Sequence, residues 1–271
     1  MCSMIAIDRD EGLGTTYERV ILHKIFDKIN ETYGIRSIVE APCFGMTGMP
    51  GINSIWWAMK GVQVTVVDDN ARRVETVRQL WDETGFQAKV EFQSRDMLLM
   101  KYGDEQFDMS WNFASLWYVT NIGQFFKEMV RITRKVIFIC VPNRTNIGYW
   151  LRQASIKQQG LNSENIEPAR IINEMKKLNW KLVEKGYFDV PPWPDIAMKK
   201  EEFCEKIGLK WLANIFQKRD ANGICILDYY SGRKQSMEEE ILRYSFLENS
   251  PQLFKRIWAH HQYFIFIPNV L

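Results

Sequence analysis

The stretch SIVEAPCFGMTG, residues 37–48, joins a short apolar run to a loop with glycine, proline and almost no charge. Gly45, Gly48 and the following Gly51 recur at every third position, which is typical of backbone that turns sharply or lies against a ligand. The apolar run predicts a strand, so the loop would lie at the carboxyl end of that strand. Whether this end is a binding site depends on the rest of the chain.

The segment before this stretch has the pattern of an amphipathic helix. Thr15 and Glu18 have the spacing of a capping box, which predicts the helix start. Apolar residues follow at steps of four from Tyr17. Gly34 is the predicted end, because glycine readily takes the left-handed conformation that closes many helices.

After the glycine loop, strand-like and helix-like segments alternate. Strands are predicted in VQVTVVDD (62–69) and VIFICV (136–141), among others, and a helix is predicted from Arg72 to Thr84. This alternation indicates a parallel sheet covered by helices on both faces. Ligands of such sheets bind at the carboxyl ends of the strands.

Polar side chains stand at several of these predicted strand ends. Asp68 and Asp69 end the second strand, where a carboxylate can accept hydrogen bonds from both hydroxyls of a ribose. Either aspartate could instead only cap the following helix. Asp96 follows the third strand and Asn112 lies at the end of the fourth.

The glycine spacing argues against a pyrophosphate site. It is G-x-x-G-x-x-G, not the G-x-G-x-x-G of dinucleotide-binding folds. An uncharged loop directly after Glu40 suits a cofactor that carries an amino acid, because the carboxylate can hold an ammonium group, directly or through water.

Five segments resemble, in the same order, the core of class I S-adenosylmethionine-dependent methyltransferases, in their small-molecule, type 11-like branch. They are SIVEAPCFGMTG (37–48), VTVVDDNARRVETVRQL (64–80), EFQSRDM (91–97), FDMSWNFASLWYV (107–119) and RKVIFICVPN (134–143). The resemblance extends loosely to two further strands, which pair antiparallel in this family. It implies an α/β fold, a Rossmann-like doubly wound sheet that is mostly parallel with an antiparallel last strand.

Four segments follow from this organisation. Residues 1–34 are an N-terminal helical segment and 35–194 the methyltransferase-like core. Residues 195–258, helical by pattern, form an insertion that we interpret as a lid. Residues 259–271 return as the final core strand.

The resemblance implies S-adenosyl-L-methionine as cofactor. The residues expected to bind it are Tyr17, Glu40, Cys43, Gly45, Gly48, Asp68, Asp69, Asp96, Met97 and Asn112. The chain departs from the family at Pro42 and Phe44, where glycine is usual. Either Gly45 and Gly48 restore the turn in a shifted register, or the fold has lost the cofactor.

The implied reaction is in-line attack by an acceptor on the sulfonium methyl group. An oxygen or nitrogen acceptor also needs a base, for which His260 and His261 are the candidates. Alternatively, one of them caps the preceding helix and the other lies at the surface. The acceptor is expected to contact Trp117, Tyr118, Asn143, Trp193 and Asp195. No cluster of acids and histidines is visible along the sequence, so no metal is expected.

The amino-acid composition limits the classes of molecule that the protein is expected to bind. The chain has 271 residues, 46% of them hydrophobic, and a net charge of +2 without a basic block, which argues against nucleic acid. No apolar run is long enough to span a membrane, and the five scattered cysteines predict reduced thiols in the cytoplasm. A small or medium organic acceptor fits best, while its identity and the oligomeric state stay open. Two rivals are a non-catalytic binding or scaffolding subunit with this fold and a nicotinamide-dependent dehydrogenase.

Overall fold

A computed structural model describes residues 12–44, 48–92, 99–193 and 224–269. Within these ranges one mixed sheet has the order β3-β2-β1-β4-β5-β7-β6. Its strands are β1 Ser37–Glu40, β2 Gln63–Asp68, β3 Lys89–Phe92, β4 Phe107–Phe113, β5 Thr133–Pro142, β6 Trp180–Phe188 and β7 His261–Pro268. Strands β1 to β5 run parallel, and β7 is antiparallel to both of its neighbours. The predicted α/β fold with an antiparallel last strand is confirmed.

Helices lie on both faces of this sheet. They are α1 Leu13–Tyr33, α2 Ile55–Met59, α3 Ala71–Thr84, α4 Ile122–Ile132, α5 Ile147–Leu151, α6 Gln153–Gln158, α7 Pro168–Lys177, α8 Ile226–Tyr230, α9 Met237–Leu242 and α10 Gln252–Trp258. Two short 3₁₀ helices, Leu116–Tyr118 and Ser245–Asn249, complete the described elements. None of the described helices is long and apolar enough to cross a bilayer.

Buried aromatic side chains fix α1 against the sheet. The ring of Phe26 lies 5.0 Å from Trp57 of α2 and 5.0 Å from Trp111 of β4, measured between centroids. All three side chains are fully buried, and each contributes about 1.5–3 kcal/mol of hydrophobic stabilisation on the usual scale. The position of α1 is therefore determined by packing along its middle.

The start of α1 differs from the prediction. The N-cap is Gly12, and Thr15, three residues later, accepts a hydrogen bond at Oγ1 from the Gly12 backbone N–H at 2.9 Å. The helix therefore begins one turn earlier than the Thr15–Glu18 capping box implies. Glu18 is consequently not used at the helix terminus and is buried instead.

The described part of the insertion between β6 and β7 packs against α1. Ile226, Tyr230 and Ile241 belong to the same buried cluster as the apolar face of α1. Lys24 of α1 also forms an ion pair with Glu238, at 2.6 Å. The role of this insertion as a lid stays a prediction.

The cysteines only partly follow the expectation of reduced thiols. Cys43 and Cys140 are free and buried, whereas Cys225 is disulfide-bonded. The expectation is therefore wrong for Cys225, because spacing along the chain does not reveal which distant cysteines pair. The cysteine count consequently gives no support to a reducing compartment.

Candidate active site

Three buried polar residues lie where strands β1, β2 and β4 end. Glu40, Asp68 and Asn112 are each almost completely buried. In the sheet register Glu40 pairs with Val66 of β2 and with Trp111 of β4. Asp68 lies two residues after Val66, and Asn112 directly follows Trp111. This group, with the loop that follows β1, is called the cofactor edge below.

The loop after β1 is held close to the end of β2. The Cys43 backbone N–H donates to Val67 O at 3.1 Å, and its thiol donates to Asp68 Oδ2 at 3.3 Å. Gly48 has the left-handed φ of 74° that the predicted sharp turn requires. Gly45 lies outside the described residues. Cys43 thus anchors the loop. It lies between Pro42 and Phe44, the two positions at which this family usually has glycine.

Gly51 permits the close approach of this loop to α3 and β2. Its φ is +68°, and a Cβ there would lie 3.0 Å from Val77 and 3.1 Å from Val66. Its carbonyl accepts a hydrogen bond from the indole of Trp81 at 3.2 Å. This third glycine is therefore required by packing, whether or not a ligand is present.

Glu40 is an unusual acid for a buried position. Burial raises the pKa of its carboxyl to about 8, although the hydrogen bond from Ser54 at 2.5 Å opposes that shift. At neutral pH the side chain therefore carries a proton in the absence of a ligand. A cationic group bound beside it would favour the charged form.

Asp68 already has partners on this edge. Its Oδ1 accepts hydrogen bonds from the Asn70 backbone N–H at 2.9 Å and from Arg73 Nε at 2.8 Å. Arg73 also reaches Asp69 at 2.9 Å, and its guanidinium lies 4.7 Å from the ring centre of Phe44. A ribose at Asp68 must therefore share the carboxylate with Arg73 or displace it.

The structure does not support the alternative that Asp68 and Asp69 serve only as caps of α3. The N-cap of α3 is Asn70, whose Oδ1 accepts from the backbone N–H groups of Arg72 and Arg73. Neither aspartate is needed for that role. Arg73 forms ion pairs with both aspartates.

Asn112, unlike Asp68, has no hydrogen-bond partner for its side chain among the described residues. In the described part of the chain, neither polar atom of its amide has a hydrogen-bond partner, although the residue is fully buried. Buried amides normally find partners, and one left unpaired costs about 1–3 kcal/mol. A bound ligand with a donor or an acceptor would remove that cost.

A second group of residues surrounds a cavity of about 130 Å³ near the ends of β4 and β5. Both predicted histidines line it, together with Glu18 of α1, Trp117, Asn146 and Tyr149. The indole N–H of Trp117 has no partner among the described residues. The cavity lining thus combines the aromatic rings of Trp117 and Tyr149 with polar and charged groups, among them Arg152.

Each histidine of this cavity is bound to a carboxylate. His260 Nδ1 lies 2.7 Å from Asp189 Oδ2, and His261 Nε2 lies 2.9 Å from Glu18 Oε2. Burial alone would raise the pKa of the Glu18 carboxyl, but the charge and hydrogen bond of His261 outweigh it and lower the pKa. We call Glu18, Asp189, His260 and His261 the acid–histidine cluster.

A wider groove of about 880 Å³ lies at the other end of the sheet. It is lined by residues near the amino ends of the strands, including Arg36, Gln63 and Lys89. None of the predicted site residues lies there. The size of this groove does not make it a candidate active site, because ligands of open α/β sheets bind at the carboxyl ends of the strands.

Comparison with known proteins decides the family. Residues 46–139 match the family model described as a methyltransferase domain, of type 11. This domain belongs to the class I S-adenosylmethionine-dependent methyltransferases. The cofactor of this domain is S-adenosylmethionine. A search of curated proteins found no match to the chain.

Solved structures show the same fold. The "putative sarcosine dimethylglycine methyltransferase" of Galdieria sulphuraria aligns over 92% of this chain and 86% of its own, with 11% identity and a TM-score of 0.58. The [4+2]-cyclase SpnF aligns over 92% and 82%, with 13% identity and a TM-score of 0.51. Geranyl diphosphate C-methyltransferase from Streptomyces coelicolor A3(2) aligns over 92% and 78%, with 12% identity and a TM-score of 0.50. Likeness at such identities establishes the fold and not the reaction.

The cofactor edge holds a buried polar group that has no partner among the described residues. The unpaired amide of Asn112 gains a partner if a ligand with a polar group binds beside it, whereas Glu40 already accepts a hydrogen bond from Ser54. Asp96 and Met97, expected at the adenine, lie outside the described residues.

Several predicted side chains are engaged elsewhere. The Tyr17 hydroxyl donates to Glu248 Oε1 at 2.9 Å, and its ring packs on Trp193. The Asn143 amide donates to the carbonyls of Arg256 and Ala259, at 2.9 and 2.8 Å. Tyr17, Asn143 and Trp193 are therefore not among the described residues that line the cavity.

Two other predictions differ in outcome. Tyr118 is 40% exposed, and its ring lies 5.5 Å from Phe44 of the glycine loop, so it stands at the cofactor edge and not in the cavity. Asp195 lies outside the described residues. The cavity instead holds Glu18, which the sequence analysis assigned to a helix cap.

Proposed function

We propose that this methyltransferase transfers a methyl group to a small or medium-sized organic acceptor held in the 130 Å³ cavity. The observation that carries the proposal is the position of this cavity near the carboxyl ends of β4 and β5. Trp117, which lines the cavity, follows the strand that holds Asn112. The acceptor and the cofactor would thus bind at the same edge of the sheet.

The chain's contribution is to align the two molecules and to exclude water. S-adenosylmethionine supplies an already activated methyl group, so that a nucleophile in line with the carbon–sulfur bond needs no further activation of the donor. Asp68 would hold the ribose, Glu40 the ammonium group, and Asn112 a further polar group of the cofactor. The rings of Trp117 and Tyr149 in the cavity lining would help to exclude water from the reacting atoms.

The size of the cavity limits the acceptor. Typical ligand pockets measure roughly 300–1,000 Å³, so a volume of about 130 Å³ admits only the reacting part of a small compound or a compact molecule. This supports an organic acceptor over a polymer. That one of the two histidines removes a proton stays a prediction of the sequence analysis.

The alternative function is a non-catalytic binding or scaffolding subunit. The observation in its favour is the ion pair between Arg73 and Asp68, 2.6 Å long, under the ring of Phe44. If Arg73 holds this carboxylate permanently, the ribose has no place to bind. Cofactor binding therefore separates the two functions.

The test is calorimetric titration of the purified protein with S-adenosylmethionine, S-adenosylhomocysteine and NAD. We expect micromolar binding of the first two and none of NAD. An Arg73→Ala variant is titrated in parallel, because it removes the competing cation and leaves Asp68 free. Absence of binding by the wild type together with binding by this variant would favour the scaffolding function.

A further inference from the structure

We propose that Glu18, Asp189 and His261 form a site for a divalent metal ion beside the acceptor cavity. Among the described residues they are a group in which one ligand atom from each residue lies within 4.8 Å of the other two. The inference goes beyond the proposed methyl transfer and does not depend on it, because it rests on the geometry of the cluster alone.

The distances suit a small cation. His261 Nε2 lies 2.9 Å from Glu18 Oε2 and 3.9 Å from Asp189 Oδ2. Tetrahedral coordination with metal–ligand bonds of about 2.0–2.2 Å places ligand atoms about 3.3–3.6 Å apart. Side-chain shifts on the order of 1 Å would bring these atoms to coordination distances.

The charges of the cluster also favour a cation. Two carboxylates, Glu18 and Asp189, are buried close together, with 8% and 2% exposure. Buried charges are costly unless they are paired, and two of the same sign repel each other. His260 is bonded to Asp189, His261 is bonded to Glu18 and lies 3.9 Å from Asp189, and the charge of Arg19 also acts on Glu18. A divalent ion would compensate both charges whatever the state of the imidazoles.

The candidate ligands are held by rigid parts of the fold. Glu18 lies on the 21-residue helix α1, and His261 is the first residue of β7. The imidazole of His261 packs between the rings of Phe113 and Phe188, with centroids at 4.8 and 5.4 Å. Metal sites depend on ligands that are fixed before the ion arrives.

Asp189 has additional support. It follows β6 directly and has a φ of +62°, a conformation that aspartate tolerates better than most residues. Its Oδ2 is bonded to His260 Nδ1 at 2.7 Å. A ligating carboxylate is commonly oriented by such an outer hydrogen bond. His260 would therefore position the ligand without touching the metal.

One imidazole and two carboxylates define the class of ion. Such a donor set suits Zn²⁺ or Mn²⁺ better than the all-oxygen preference of Ca²⁺ and Mg²⁺. Three protein ligands leave a fourth position, as in catalytic zinc sites. Glu18 and His261 both line the cavity, so this position is available to the nucleophilic atom of an acceptor.

The experiment measures metal binding without cofactor or acceptor. Protein stripped with a chelator is titrated calorimetrically with Zn²⁺ and with Mn²⁺, and its metal content after dialysis is determined by mass spectrometry. We expect one ion per chain. Glu18→Gln and Asp189→Asn should each weaken binding by at least about tenfold.

Glu248→Gln is the matched control. Glu248 is also a mostly buried acid nearby, but it accepts hydrogen bonds from Tyr17 and from the Val190 backbone N–H. Its substitution should leave the affinity for Zn²⁺ unchanged. Equal affinities in the wild type and the Glu18→Gln variant would overturn the proposal, as would the absence of any bound ion.

A second measurement protects the test against variants that fail to fold. Co²⁺ bound to the wild type should show the intense visible absorption of a four-coordinate site, and Zn²⁺ should displace it. A weak spectrum typical of six water-like ligands would contradict the proposed coordination. Because neither measurement involves methyl transfer, failure here leaves the proposed function untouched.

Discussion

The cofactor edge and the acid–histidine cluster lie at the same side of the sheet but treat their polar groups differently. On the cofactor edge the amide of Asn112 has no partner and Glu40 is held neutral by burial. In the cluster each acid is already bonded to an imidazole. The first region therefore gains hydrogen bonds when a ligand binds, whereas the second contributes to stability without one.

The largest effect should come from breaking the cluster. Glu18→Ala removes the partner of a buried imidazole that joins α1 to β7, and we expect unfolding free energy to fall by about 4 kcal/mol. Glu31→Ala, at an exposed position of the same helix, should change it by less than about 0.5 kcal/mol. Denaturant unfolding measures both. Equal effects would show that the cluster adds nothing to stability.

Gly51→Ala tests whether the cofactor edge has a structural component too. The left-handed φ and the contacts of a new Cβ with Val77 and Val66 should together cost about 3 kcal/mol. Gly61→Ala is the control, because Gly61 has a φ of +76° but open space around its Cβ. It should cost only about 1 kcal/mol. If the two losses agree in a thermal or chemical unfolding series, close packing at Gly51 is not important.

Asp68→Asn should act on ligand binding more than on the fold. Loss of the charged acceptor for the ribose should weaken S-adenosylhomocysteine by about 30-fold, or roughly 2 kcal/mol. Asp69→Asn, one third exposed in the wild type, should weaken it much less. Calorimetry gives both affinities. If the Asp68→Asn variant binds S-adenosylhomocysteine with unchanged affinity, the assignment of Asp68 to the ribose is wrong.

The smallest effect concerns the pH dependence of Glu40. Its pKa is about 8 in the folded protein and 4.5 when unperturbed, so between these values the folded state binds the extra proton. Stability is therefore lost as pH rises, by about 1.4 kcal/mol per pH unit within this window. Glu40→Gln should remove that slope between pH 6 and 7. Parallel profiles of the variant and the wild type would contradict the raised pKa.

The same contrast explains what the sequence could predict. Residues such as Glu40, Asp68 and Asn112 follow strands recognisable from apolar runs, and parallel strands align their ends. Asn70 caps α3, and Arg73 forms an ion pair with Asp68. Both contacts depend on side-chain geometry, which cannot be predicted from a pattern of residue types. The positions of these residues at the strand ends were therefore predictable from the sequence, and the contacts among their side chains were not.

The cluster was only half predictable. His260 and His261 stood out because they precede the last strand, but Glu18 and Asp189 did not. Glu18 had a local explanation as part of a capping box, and tertiary burial overrode it. Asp189 lies in a turn with no distinctive pattern. Contacts between residues this far apart along the chain become visible only when the sheet is assembled.

The bond between Glu18 and His261 links positions 243 residues apart, and this affects the order of events during synthesis on the ribosome. Chains emerge from their amino end, so α1 is exposed for most of translation before β7 follows. Meanwhile β1 to β5 can pair, which brings Glu40, Asp68 and Asn112 together early. A nascent chain would thus form the proposed place for the methyl donor well before the proposed place for the acceptor.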